Sequence, residues 1–205
     1  MSSEEPRRRG RRRSEESRLS ILNAAFDLVA DGGQEFTIEG IAARAGVSKQ
    51  TIYRWWPTKG DVLLESLAAR ADAQISTSDH GSYERDLVHF LNQTFKLLRP
   101  RGVRRALRSL MAEAQHNPDL LLRFREGFLE RRRAALFQIV SRAEDRGDLP
   151  PTVRGELIGD IVFGVIWYRM LSTERLLGAA DALVLADLLT SAGDADPSRV
   201  AAPVT

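Results

Sequence analysis

The sequence predicts an all-α protein of about nine helices. Three observations carry this. Apolar residues recur at three-to-four spacing in one stretch after another, as in Ile21, Leu22, Ala25, Phe26 and Val29. No pair of alternating apolar and polar runs joined by a hairpin turn occurs. Glycine and proline punctuate the chain at intervals that suit helices, at Gly32-Gly33, Gly46, Pro57, Pro118, Gly147 and Pro150-Pro151.

The elements follow in order. Residues 1–13, MSSEEPRRRGRRR, have no apolar face to bury and read as a flexible arm. Helical patterning starts near Ser14 and ends at Asp31-Gly32-Gly33. Thr37 can cap a short helix whose Ile38, Ile41, Ala42 and Ala45 share a face; Gly46 breaks it, and Ser48 can cap the next. Pro57 stops this third helix, and Thr58 with Asp61 forms an N-cap pair opening a fourth, Gly60 to about Gln74. Ser76 to Ser82 is a polar boundary. Two apolar stripes follow, from Leu87 to Leu98 and from Val103 to Ala114. A long helix runs from about Asp119 to Arg146. Val153 to Leu171 is apolar nearly all round, so burial on most sides is expected. Leu183 to Leu189 belongs to a last helix, and the end of the chain reads as a loose tail. The expected organisation is an arm (1–13), an N-terminal domain (14–76), a larger helical domain (77–192) and a tail (193–205).

Composition removes several function classes. The chain has 205 residues, 43% hydrophobic and 28% charged, an ordinary globular balance. The absence of cysteine rules out a disulfide scaffold, a zinc ribbon and a thiol nucleophile. The longest apolar-rich stretch, Leu157 to Leu171, is 15 residues and contains Asp160 and Arg169, whereas a spanning helix needs about 20. The chain therefore reads as soluble and cytoplasmic, with no membrane partner. There is no phosphate-binding Gly-rich loop, no G-x-S-x-G and no H-E-x-x-H. His80, His89 and His116 are scattered. No enzyme activity, cofactor or metal is expected.

Charge placement says more than the net value of +2. Residues 1–60 hold 11 bases and 8 acids, while 61–205 hold 19 and 20. Within 41–60 stand Arg44, Lys49, Arg54 and Lys59 with no acid. A positive field confined to the N-terminal third suits a polyanion.

Residues 37–56, TIEGIAARAGVSKQTIYRWW, are two short helices joined by Ala45-Gly46-Val47-Ser48, the grammar of a helix-turn-helix. Gly46 supplies the backbone freedom for the sharp turn. At 100° per residue Ile52 and Trp56 face inward together. Lys49, Gln50, Tyr53 and Arg54 then share the outward arc, where a cation, an amide and a phenol can reach base edges and phosphates in a major groove.

With the run Ile21-Leu22-Asn23-Ala24-Ala25, then Thr37, Ile41-Ala42, Ala45-Gly46-Val47-Ser48, Thr51-Ile52-Tyr53, Trp56 and Lys59, the segment of about 18–75 resembles the DNA-binding domain of the tetracycline-repressor (TetR) family. One departure is Gly60, where an acidic residue is usual. The resemblance implies a transcriptional regulator, a repressor of a palindromic operator in double-stranded DNA. It implies that Thr37 and Ser48 bind phosphate, that Lys49 and Gln50 reach base edges, that Thr51, Tyr53 and Trp55 touch the sugar-phosphate backbone, and that Lys59 holds another phosphate. Arg44 would contact either backbone or base. Trp55 can equally shield the small core, and the N-terminal arginines either enter a minor groove or add salt-sensitive affinity. An architectural or constitutive DNA-binding protein without an effector shares the same motif.

For the rest of the chain the resemblance is architectural, implying a domain for dimerisation and ligand binding. One recognition helix reads too few base pairs for a specific address. A homodimer places two about 34–36 Å apart, with Val165 and Leu188 expected near its dyad. Phe90, Thr94, Phe128, Asp160, Phe163 and Trp167 are candidates to line a pocket for a small-molecule effector, apolar or aromatic by default.

Overall fold

The structure, a computed structural model, describes residues 5–32, 35–149, 155–173 and 175–191, with side chains from Ser14 onward. The order is α1 (Glu5–Ala30), α2 (Ile38–Ala45), α3 (Lys49–Tyr53), α4 (Lys59–Gln74), α5 (Tyr83–Leu98), α6 (Arg101–Gln115), α7 (Pro118–Phe124), a π-helical segment (Arg125–Glu130), α8 (Arg131–Arg146), α9 (Gly155–Tyr168) with a π-helical end (Arg169–Thr173), and α10 (Ala179–Ser191). From Pro118 to Arg146 the backbone is helical without a break, so these make nine helices among the described residues. None of them is long and apolar enough to cross a membrane.

The helix boundaries follow from local chemistry. Thr37, in extended backbone (φ −128°, ψ 163°), caps α2 by accepting the Gly40 N–H. Gly46 ends α2 at φ +67°, a left-handed conformation that glycine adopts without a Cβ penalty. Ser48 caps α3 by accepting the Thr51 N–H. At the start of α4 the Thr58 N–H and hydroxyl donate to Asp61 Oδ2 (3.0 and 2.7 Å), and the Asp61 N–H donates back to Thr58 Oγ1 (3.2 Å). This reciprocal box is the pair the sequence predicts.

One expectation at the N-terminus is corrected. The backbone of residues 5–13 is helical and continuous with α1, where the sequence suggests a flexible arm. Arginine and glutamate are good helix formers, Pro6 sits in the first turn where proline is tolerated, and a long helix already nucleated by buried residues extends cheaply. Residues 1–4, and the expected tail 193–205, lie outside the described residues.

The chain divides into two compact units, one of Met1–Gln74 with Leu97–Glu130, the other of Ile75–Lys96 with Arg131–Thr205. The sequence places a single boundary near residue 76. The difference is α6 and α7, which pack on α1 and α4. In this first unit Ile21, Ala25, Ile41, Ile52, Val62, Leu63 and Leu110 are buried to the last few per cent. Gly102 lets α6 approach α1 closely, since a Cβ there would lie 2.7 Å from the Ala30 Cβ. Arg105 donates to the Ala30 carbonyl at the end of α1 (2.6 Å).

The second unit buries Tyr83, Leu87, Phe90 and Leu91 of α5, Leu136, Ile139 and Val140 of α8, Val162 of α9 and Ala186 of α10. The segment 75–82 is pinned by polar bonds within this unit. The Ser76 N–H donates to Gln93 (2.6 Å), Arg142 donates to the Thr77 and Ser78 carbonyls (3.0 and 3.2 Å), and Arg146 pairs with Asp79 (2.7 Å). Asp86, with its side chain fully buried, accepts from the His80 N–H (2.6 Å), Arg142 (3.0 Å) and Arg146 (3.1 Å). Burial pushes this carboxyl up, but the His80 N–H and the two guanidinium groups outweigh burial and hold it below 3.8.

The expectation that the segment ending at Leu171 is buried on most sides is also corrected for the single chain. α9 buries Ile158, Val162 and Ile166 with Met170 beyond it, but leaves Leu157, Ile161, Tyr168 and Leu171 exposed. Its neighbour α10 leaves Leu183, Val184 and Leu188 exposed. Both helices carry an apolar stripe with no partner within the described residues.

Candidate DNA-binding site

Most of the side chains expected to meet DNA stand on α2, α3 and the first turn of α4, or on the caps that join them. Ile41, Ile52 and Trp56 form their buried underside. The Trp56 indole N–H donates to Glu65 Oε2 (2.6 Å), which fixes the tryptophan against α4. Glu65 also pairs with Arg18 of α1. With its underside held, α3 turns Ser48, Lys49, Gln50 and Tyr53 outward, Tyr53 being 55% exposed. A tyrosine this exposed beside a lysine and a glutamine has no core to serve.

The remaining expected residues are placed as follows. Lys49 Nζ donates to Glu39 Oε1 (3.0 Å), an exposed pair that salt screens and a stronger polyanion displaces. The Glu39 hydrogen bond raises the lysine above its ordinary value, so it is fully charged near neutral pH. Arg44 pairs with Asp31 (3.0 Å). Thr51 Oγ1 lies 3.0 Å from Ser48 Oγ. Trp55 is half-buried, edge-on to Trp56 with centroids 5.4 Å apart, and Arg54 sits over its outer ring at 5.2 Å. Lys59 Nζ donates to the Phe36 carbonyl (3.3 Å) and lies 5.1 Å from the Phe36 ring. Thus Lys49, Arg44 and Lys59 each have an internal partner that sequence reasoning did not find. Glu39 and Asp31 are ordinary surface acids in the sequence, and only the turn geometry brings them near.

Two family models match the chain, one for bacterial regulatory proteins of the tetR family at residues 21–66 and one for the tetracyclin repressor-like C-terminal domain at residues 77–189. The second spans more than half of the sequence. The chain belongs to the TetR family. Among curated relatives, an uncharacterised HTH-type transcriptional regulator of Bacillus subtilis (strain 168), YdeS, is 33% identical over 168 residues, which is 81% of this chain and 84% of that one. The DNA-binding transcriptional repressor TetR of Mycobacteroides abscessus is 27% identical over 164 residues, 77% of this chain and 84% of that protein. Among solved structures, the TetR family transcription regulator SCO0332 superposes with a TM-score of 0.73 at 27% identity, covering 86% of this chain and 97% of that one. This is a TetR-family HTH transcriptional regulator.

The TetR family assignment leaves the expected ligand residues to be located. Phe128 belongs to the first unit, where it stacks on Phe124 with centroids 5.8 Å apart. Phe90, Thr94, Asp160, Phe163 and Trp167 belong to the second. Thr94 is buried and its hydroxyl donates to the Phe90 carbonyl (2.9 Å). Asp160 is corrected from an interruption of a buried helix to an exposed residue paired with Arg133 (2.7 Å); it stands on the outer side of α9, which the apolar count alone does not distinguish. Phe163, Val165 and Trp167 are half-buried. Val165 lines an open groove of about 240 Å³ with Arg169, Leu177, Ala180, Asp181, Val184 and Leu185. The sequence passed over Tyr83, whose phenol is buried and has no hydrogen-bond partner among the described residues.

Proposed function

We propose that this TetR-family protein is a homodimeric repressor that grips a palindromic operator through two copies of the α3 face and releases it when a small effector occupies the second unit. The observation that carries the reading is the outward face of α3, Lys49, Gln50 and Tyr53, standing on the buried Ile52 and Trp56. Lys49 and Gln50 read base edges in the major groove. Thr37 and Ser48, already facing helix N-termini, take phosphates together with Thr51, Tyr53 and Lys59. Arg44 and Trp55 stand at the rim, Arg44 exchanging Asp31 for the DNA. Repression draws support from the relative in Mycobacteroides abscessus, which bears that role in its name.

The unpartnered apolar stripes of α9 and α10 support dimerisation through these helices, with Leu188 and Val165 near the dyad. For the effector, the buried Tyr83 hydroxyl offers an unused hydrogen bond, and leaving such a group empty costs about 1–3 kcal/mol. An apolar or aromatic molecule carrying one acceptor would answer this donor. A second reading, a constitutive DNA-binding protein without effector, draws on Thr94 and Asp160 having partners inside the chain.

Selection from a random DNA pool tests the first part. A two-fold palindrome with half-site centres about 34–36 Å apart supports it, and enrichment of no sequence refutes it. Melting against a panel of lipophilic compounds tests the second, where a stabilising compound must also lower operator affinity.

A further inference from the structure

We propose that Arg123 is a positioning residue for operator binding, acting through Asp61 on the first turn of α4. This rests on the DNA-binding reading above and goes beyond it, since Arg123 lies outside the helix-turn-helix by sequence and by structure.

Asp61 is a buried carboxylate with two sets of partners. One set is local, the Thr58 N–H and hydroxyl that make the cap of α4. The other is Arg123 of α7, 62 residues away, which donates from Nε to Oδ1 (2.6 Å) and from a terminal nitrogen to Oδ2 (3.2 Å). This two-pronged bond fixes orientation as well as distance. Oδ2 is shared between the cap and the arginine, so displacement of Arg123 acts directly on the cap.

A second observation places α7 against the same turn. A Cβ at Gly60 would lie 2.6 Å from Leu120 Cδ2 and 3.2 Å from Glu113 Oε1. Leu120 and Arg123, one helical turn apart, thus meet Gly60 and Asp61 in succession. A larger residue at Gly60 would therefore have to displace the Leu120 side chain.

The turn so held carries the functional side chains. Thr58 is followed by Lys59, whose Nζ reaches the Phe36 carbonyl, and Phe36 precedes the α2 cap Thr37. Trp56, on the other side, underlies α3. α7 therefore sets the angle at which Lys59, Thr37 and α3 meet a DNA backbone.

The test uses full-length protein and a selected operator, with affinity and active fraction measured separately by stoichiometric and dilute titration. Arg123→Gln should raise Kd by about tenfold with the active fraction, the base preference and the salt slope unchanged. Arg123→Lys, which keeps the charge but not the fork, should fall between. Arg133→Gln, which breaks the exposed pair with Asp160, is the control and should leave Kd unchanged. The inference is overturned if Arg123→Gln lowers only the active fraction, the mark of a purely structural role, or if the salt slope drops by about one per subunit, the mark of a direct phosphate contact. If the unsubstituted protein binds no operator, it is the proposed function that fails, and the inference falls with it.

Discussion

Replacing Asp86 by asparagine removes the charge on which the second unit's polar network converges. The buried carboxylate accepts from the His80 N–H, Arg142 and Arg146. Asparagine keeps the shape but turns two N–H donors toward a guanidinium. Breaking a fully buried ion pair costs about 3–5 kcal/mol. Here the arginine side chains retain 27% and 24% of their exposure and have Asp79 and Asp148 nearby, which reduces the expected loss to about 2–3 kcal/mol. For a chain of this size that is a fall in Tm of about 4–12 °C. The pH dependence carries a sign. The Asp86 carboxyl is held below 3.8 in the folded chain, so its stabilisation is present above that value and is lost as pH falls through the folded value. The gap in Tm between the two proteins, measured by circular dichroism, should be constant from neutral pH down to about 4 and narrow below it. A gap under about 1 °C at neutral pH, or one that does not narrow in acid, refutes the assignment of Asp86 as the charged hub.

Other outcomes follow from the same geometry. Leu188→Arg should leave the helical content unchanged, since Leu188 is 60% exposed in the single chain, while burying an unpaired charge in the dimer at a cost of several kcal/mol; light scattering should then report a monomer. Lys59→Ala should weaken binding to all DNA sequences alike and lower the slope of log K against log salt by about one per subunit. Tyr53→Phe should likewise weaken binding without altering base preference.

The parts of the fold that the sequence makes legible are those with local causes. Thr37, Gly46, Ser48 and the Thr58–Asp61 box are caps whose partners lie within a few residues, and α2, α3 and α4 begin where they indicate. The inward pair Ile52 and Trp56 follows from helical phase alone, and both are buried. What stayed hidden depends on distant segments. Gly60 looks like a weakness at the head of α4 until Leu120 is placed over it. Arg123 carries no local mark, because its partner is 62 residues away. The assignment of α6 and α7 to the N-terminal unit is of the same kind, since an apolar stripe indicates that a helix packs, not on what. The apolar excess of Val153 to Leu171 indicates more surface than one neighbour covers, but not which residues stay exposed in the single chain. Asp160 looks internal in the sequence for the same reason, yet it is exposed and paired with Arg133.

If the outward face of α3 reads the operator, base preference must change when its side chains are substituted. Sequences selected from a random pool by the unsubstituted protein should be compared with those selected by Lys49→Ala and Gln50→Ala. Each substitution should relax preference at about one or two positions per half-site, by about 1–3 kcal/mol where the contact is bidentate, and leave the other positions as they were. Unchanged preference in both variants, with Tyr53→Phe altering it instead, would show that α3 lies rotated on the DNA and that Lys49 and Gln50 do not read it.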